Sequence, residues 1–473
     1  MALSSTPTFE LQPSSKQVAL STNYITNFDF LNQYLPDTYE KEFERYGNRS
    51  VASFLRMVGA EMPSMSDKIV WAEQGRLHTK YINVNADSAI NSDTATFTVN
   101  DTITLNNDIA GSIAIRVGQT VLVSNNANSA QYNKAIVTAV DTTSDPNEFT
   151  VKFYEGAGQS FAINATCSVF VYGSEFKKGT VGMEGSLEAE DEIFENSPII
   201  LKDKYAVSGS DMAQIGWVEV TTENGATGYL WYLKSEHETR LRFDDYIETS
   251  MLEAVPAEAN SGAIAAGFKG SEGVFYTIND RGNVYAGFPT SLGDFDTIVS
   301  RLDKQGAIEE NVLFLNRESS FDVDDILAAQ NNYGSAGTSY GLFDNSKDMA
   351  LNLGFSGFRR GYDFYKTDWK YLNDPTMRGA GSAAGGYQYA TINGLLVPAG
   401  STSVYDQIMG KNAKRPFLHV RYRASEAEDR RYKTWVTGSA GGAMNSSLDA
   451  MEVHFLSERC VCVLGANNFV LFS

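Results

Sequence analysis

Histidine is the side chain best suited to proton transfer near neutral pH, and this chain holds His78, His237, His419 and His454 far apart with no shared ligand spacing. No His-Glu-x-x-His, Cys-x-x-Cys, Gly-x-Ser-x-Gly or phosphate-loop pattern occurs. Cys460 and Cys462 stand two apart in an alternating run, so they share one face of a predicted strand as small buried apolar groups. With Cys167 they are too few for a disulfide framework in a chain of 473 residues, which suits folding in a reducing cytosol. Asp322, Asp324 and Asp325 open a predicted helix, where carboxylates favour the dipole without reacting. The acid run 184–195 is too dispersed for a calcium loop. Residues 378–387, RGAGSAAGGY, lack the closing Gly-Lys-Ser/Thr of a phosphate loop and read as a plain loop. The sequence therefore predicts no catalytic, cofactor or metal residues. A carboxylate pair for glycoside hydrolysis need not be close in sequence, so a strand-rich carbohydrate-active hydrolase stands as an alternative.

The charge and composition narrow the classes further. Apolar residues make up 42% and charged residues 20%, as in a globular protein, and the length implies two to four domains. The net charge of −20 disfavours direct grip on nucleic acid, because neutralising phosphates takes Lys and Arg; a role near DNA would be containment. No apolar run approaches the ~18 residues that span a membrane. The first residues, MALSSTPTFELQPSS, have neither a basic nor an apolar signal-peptide region. A surface-layer or adhesin protein, which needs export, is therefore the least favoured alternative.

The element most able to position other parts is residues 229–255, which hold no Gly and no Pro and predict a rod of roughly 40 Å. Phe243, Tyr246, Ile247, Ser250, Met251 and Ala254 mark its expected apolar face, and the charged middle, 234–242, suggests that only part of it is buried. Before it, residues 1–28 read as an arm without a core of its own. Capped helices are expected from Asp37 to Gly47 and from Ser50 to Gly59. Strand-like sequence runs over 68–84. Residues 86–173 change to Asn, Asp, Thr and Ser with short alternations such as Phe149, Val151, Phe153, which predict about six strands closing a small barrel inserted in a host domain. Such barrels can bind single strands, but Arg116, Lys134 and Lys152 are outnumbered there by acids. After Pro256 a strand pair is expected at 274–278 and 283–285. A helix face follows at Phe295, Ile298, Val299 and Leu302, then a buried strand at 311–315, and a helix capped by Ser319 or Ser320. Strands are also expected at 199–204, 217–221, 391–398, 453–455 and 459–472.

The order of parts and four stretches resemble the major capsid protein of tailed bacteriophages, with the Hong Kong 97-type fold, and within it the coat proteins of crAss-like phages. The stretches are YEKEFERYGNRSVASFLRMVGA (39–60), DKIVWAEQGRLHT (67–79), 306–330 ending ENVLFLNRESSFDVDDILAAQ, and LSERCVCVLGANNFVLF (456–472). The resemblance covers most of the chain but not the barrel. It implies an α+β fold with an N-terminal arm (1–33) and the start of a peripheral domain with an outgoing extended loop (34–85). The inserted barrel (86–173), a returning loop (174–217) and the peripheral domain with its spine helix (218–282) come next. An axial domain (283–391) and peripheral C-terminal strands (392–473) complete it. It further implies self-assembly into hexamers and pentamers around double-stranded DNA held without specific binding, and portal, scaffold and decoration proteins as partners. No membrane and no enzymatic role are implied.

One contact between subunits is expected from charge. Glu184, Glu188, Glu190, Asp191, Glu192 and Glu195 lie on the implied extended loop. Lys411, Lys414, Arg415, Arg421, Arg423, Arg430, Arg431 and Lys433 form the strongly basic stretch of the chain. The two are expected to meet across a subunit boundary and to set register rather than affinity.

Overall fold

The computed structural model describes residues 54, 60–75, 80–87, 93–99, 113–143, 147–155, 165–185, 191–213, 220–221, 227–228, 231–305, 308–329, 356–374, 376–378, 392–406, 411–442 and 444–473. The arm and the two N-terminal helices expected from sequence lie outside these, apart from the helical, buried Phe54. Two compact units emerge: Trp71–Phe194, and Met1–Val70 with Glu195–Ser473. No helix among the described residues is long and apolar enough to cross a membrane.

The smaller unit is built on period-two alternation. Six strands, Lys80–Ala86, Thr94–Val99, Glu148–Phe153, Tyr132–Asp141, Gln119–Asn125 and Thr166–Ser174, pair antiparallel in that order, and the last returns to the first. Alternate residues, among them Val84, Phe97, Val123, Val137, Val151 and Val169, point inward and are buried. Phe97 and Phe149 stack with centroids 5.4 Å apart. Cys167 serves as one more apolar filler, its thiol pushed up to about 11 by burial. The barrel starts at Lys80, ahead of the boundary expected at residue 86, because Tyr81 and Val84 already belong to its core. Closure leaves no free strand edge.

Among the described residues, the larger unit holds two sheets of more than two strands. The first has the order Ala60–Ser64, Leu418–Arg423, Ala450–Val463, Ile199–Ser208, with Lys433–Gly438 also on Ala450–Val463. The second is mixed, in the order Asn283–Tyr285, Val470–Phe472, Gly394–Pro398, Glu310–Leu315, Tyr362–Asp368, Gly357–Arg360. The apolar C-terminus is in sheets, but its strands divide differently from the 453–455 and 459–472 expected. Ala450–Val463 is one continuous 14-residue strand. Gly465, in the left-handed region at φ 60°, then turns the chain into a short 3-10 helix, so that Val470–Phe472 enters the other sheet.

Both faces of the second sheet are covered. Leu313 and Leu315 face the helices Leu292–Gln305 and Arg317–Ala329, through Phe295, Ile298, Leu302, Val323 and Leu327. Phe314, one residue out of phase, faces Phe54, Trp369, Phe275 and Leu252 instead. Residues 274–278 are helical (Val274–Arg281), not a strand; Val274, Phe275, Thr277 and Ile278 are buried at helical spacing. An apolar run this short fits either period, and packing decides it. The helix Arg317–Ala329 is capped by Asn316, whose Oδ1 accepts the Ser319 N–H at 2.7 Å, and not by Ser319 or Ser320, which lie buried in its first turn.

The long helix, Trp231–Glu253, joins the two halves of this unit. Phe243 and Ile247 pack on the first sheet with Phe455 and Tyr205, while Met251 and Leu252 enter the core beneath the second. Ser235 and Thr239 are buried too, so the buried stripe continues through the charged middle, contrary to expectation. Tyr246 is 49% exposed and does not belong to the buried face; Leu252 takes a place there. Burying a side chain such as Phe243 contributes about 1.5–3 kcal/mol, so this stripe ties the helix firmly to both cores.

Candidate functional site

Among the described residues, several groups suited to chemistry have structural partners. No set of three His, Cys, Asp or Glu side chains converges as a metal-holding group among the described residues. His419 stands opposite Cys462 in the strand register, and His454 stacks on Trp435 with centroids 5.0 Å apart. Cys460 and Cys462 are free and buried; the hydrogen bond that Cys460 donates to Cys462, with burial, pushes the Cys460 thiol up. Asp324 pairs with Lys366, both largely buried, and so braces its helix against the sheet.

A charged network lies on the first sheet. Arg459 is 5% exposed; its Nη1 donates to Glu61 Oε1 at 3.0 Å, its Nη2 to the Arg431 carbonyl at 2.6 Å and its Nε to Ser457 Oγ at 2.7 Å. Burial holds its guanidinium below the usual range, and Glu61 opposes that shift. Arg431 also bonds Glu61. The buried Glu458 receives Arg430 at 2.6 Å and Arg423 at 3.4 Å, and Arg423 reaches Asp67 as well. Lys433 bonds Glu428 at 2.8 Å, which holds that carboxyl below its usual range.

The expected basic stretch is thus largely engaged within its own chain. Arg423, Arg430, Arg431 and Lys433 meet Glu61, Asp67, Glu428 and Glu458, and Arg421 extends Nη1 to Met62 Sδ at 3.9 Å. Lys411, Lys414 and Arg415 lie on the strand Lys411–Pro416, paired with Ser401–Asp406; their side chains lie outside the described residues. Of the acid run, Glu184 accepts Arg116 at its carbonyl, and Glu192 is exposed. Asp191 lies on the strand Asp191–Asn196, and Glu195 on the same strand pairs with Lys68. Glu188 and Glu190 lie outside the described residues. The residues that sequence reasoning missed are Glu61, Glu458 and Arg459. A lone Arg in the run RCVCVL was the available signal, because a buried charge demands a partner.

A second feature is the ribbon formed by Ile69–Gln74 and Asp191–Asn196, whose strands precede and follow the barrel in the sequence. Trp71 and Phe194 pair across one face with centroids 6.3 Å apart. Alternation puts Val70 and Ile193 on the other face, where they are 53% and 68% exposed. The ribbon's returning strand is fastened by the buried Asn196. Its Nδ2 donates to the Glu272 and Val461 carbonyls at 2.9 and 2.7 Å, and its Oδ1 accepts Ser271 Oγ and the Glu272 N–H, each at 2.9 Å. Asn196→Ala strands these partners, so it should cost about 1–3 kcal/mol. The check is hydrogen exchange, with faster exchange expected at the Glu272 amide.

No protein-family model matches the chain, and no curated protein does. Solved structures do. A protein of Microbacterium phage Oxtober96 is 9% identical, with 94% of this chain and 96% of that one covered, at a TM-score of 0.36. A protein in the capsid asymmetric unit of cyanophage Pam1 is 11% identical, covering 64% and 82%, at 0.35. The encapsulin SrpI of Synechococcus elongatus is 10% identical, covering 60% and 77%, at 0.32.

Proposed function

We propose that this chain is a major capsid protein of a tailed bacteriophage, with the Hong Kong 97-type fold, forming hexamers and pentamers that close a head around packaged double-stranded DNA. The observation that carries this reading is the long helix Trp231–Glu253, bound to two sheets of one unit, from the first of which a two-stranded ribbon departs. That is the arrangement of spine helix, peripheral sheet, axial layer and extended loop that the sequence resemblance implies. In this assignment the ribbon is the base of the extended loop, the sheet containing Glu310–Leu315 is the axial layer, and the sheet containing Ala450–Val463 is peripheral.

The physical case for assembly rests on the ribbon. An isolated pair of strands is marginal in water, and Val70 and Ile193 stand exposed on it. A second copy of the chain is the surface that would bury them. The charge balance fits a container. At a net charge of −20, with much of the basic stretch already bonded to carboxylates, a wall made of this protein would hold DNA without gripping it. Portal, scaffold and decoration proteins are the partners such a head requires, and the virion is its location. Purified by size exclusion and viewed by negative-stain electron microscopy, the chain should give rings or closed shells. Discrete monomers with carboxylate-dependent glycan hydrolysis would select the hydrolase reading instead.

Contact between the acid run and the basic stretch of a neighbouring copy remains part of this proposal, now centred on Lys411, Lys414 and Arg415. Reversing Glu188, Glu190 and Glu192 to Lys should block assembly while leaving the monomer's melting temperature in place. Normal shells from that variant would remove the contact.

A further inference from the structure

The barrel carries a groove of about 500 Å³ on its outer wall, lined by Thr120, Lys134, Tyr154, Glu155, Tyr172 and Glu175 among others. The groove is shallow and largely open to solvent. We propose that this groove binds a neutral carbohydrate, with the Tyr172 and Tyr154 rings as platforms and Lys134, Glu155 and Glu175 as the hydrogen-bonding rim.

The backbone holds the two rings in place. The register between Gln119–Asn125 and Thr166–Ser174 pairs Thr120 with Gly173 and Val121 with Val171, so Tyr172 is the extra residue of a β-bulge. Bulges re-aim side chains, and they concentrate beside functional sites. Tyr154 is fixed by its N–H on the Lys134 carbonyl at 3.1 Å and by its hydroxyl on Glu175 Oε2 at 2.5 Å. Burial and Glu175 push that phenol up to about 12, so it stays a donor at neutral pH. Both rings are nevertheless about half exposed, at 47% and 46%. A Cβ at Gly173 would meet Thr120 Oγ1 at 3.2 Å, closer than an ordinary contact.

The chemistry selects the ligand. Exposed aromatic faces beside carboxylates and an ammonium suit the apolar faces and hydroxyls of a sugar. An anionic ligand is disfavoured, because one base faces two carboxylates in a chain of net charge −20. A cationic peptide is disfavoured, because Lys134 already places a positive charge in the groove. The closed barrel offers no edge for an added peptide strand.

The test is binding of the labelled full chain to an array of neutral glucans, mannans, galactans and chitooligosaccharides, with sialylated and sulfated glycans and a Lys/Arg-rich peptide as competing arms. Retention on a neutral glycan is expected, reduced roughly tenfold or more by Tyr172→Ala and kept by Tyr172→Phe. Tyr154→Ala gives an independent reading should Tyr172→Ala fail to fold. The proposal is overturned by retention on no neutral glycan, by retention that both alanine variants preserve, or by binding confined to the anionic glycans or the basic peptide.

Discussion

Glu61→Ala should destabilise the first sheet by about 3–5 kcal/mol, the cost typical of leaving a buried charge without its partner. Glu61 bonds both Arg459 and Arg431, and Arg459 is 5% exposed with its guanidinium already held below the usual range by burial. Without Glu61 that cation keeps a serine hydroxyl, a carbonyl and the weaker field of Asp244, but no carboxylate bonded to it. Glu61→Gln, which retains an acceptor, should cost less. Replacing Glu61 and Arg459 together by Leu and Met should recover most of the loss, because a buried pair exchanged for apolar groups is often neutral. Hydrogen exchange across Ala450–Val463 reads this locally. Unchanged protection in Glu61→Ala would mean that the pair does not hold the sheet.

Val70→Asp with Ile193→Asp should abolish assembly and leave the monomer folded. Both side chains stand on the exposed face of the ribbon, away from Trp71 and Phe194, so neither charge enters a core. Their effect falls on the surface that the proposed neighbour would cover, where two desolvated carboxylates each cost several kcal/mol. Light scattering of the double variant should show no high-mass species at concentrations where the parent chain assembles, with circular dichroism unchanged. Assembly at the parent's level would take the ribbon out of the interface.

The parts of the fold that were legible in the sequence are those whose signal is local and long. The barrel was visible because alternation such as Phe149, Val151, Phe153 repeats over strand after strand. The long helix was visible because no Gly or Pro interrupts it. Its buried face was read less well: Tyr246 and Leu252 both sit at the margin of a helical stripe, and only the neighbouring sheets decide between them. The helix at Val274–Arg281 was misread because its apolar run is too short to show a period. The charged network was out of reach for another reason. Glu61 and Arg459 are 398 positions apart, and what joins them is the sheet order that sets Ala60–Ser64 beside Leu418–Arg423 and that strand beside Ala450–Val463. The groove on the barrel was hidden in the same way: Tyr172 reads as an ordinary strand residue until the register reveals the bulge.

Native mass spectrometry of the purified full chain tests the central proposal most directly. The coat-protein account predicts species at five and six times the chain mass of 51.9 kDa, converting to closed shells as concentration rises. A single species at one chain mass across the whole concentration range, with scaffold co-expressed, would contradict it.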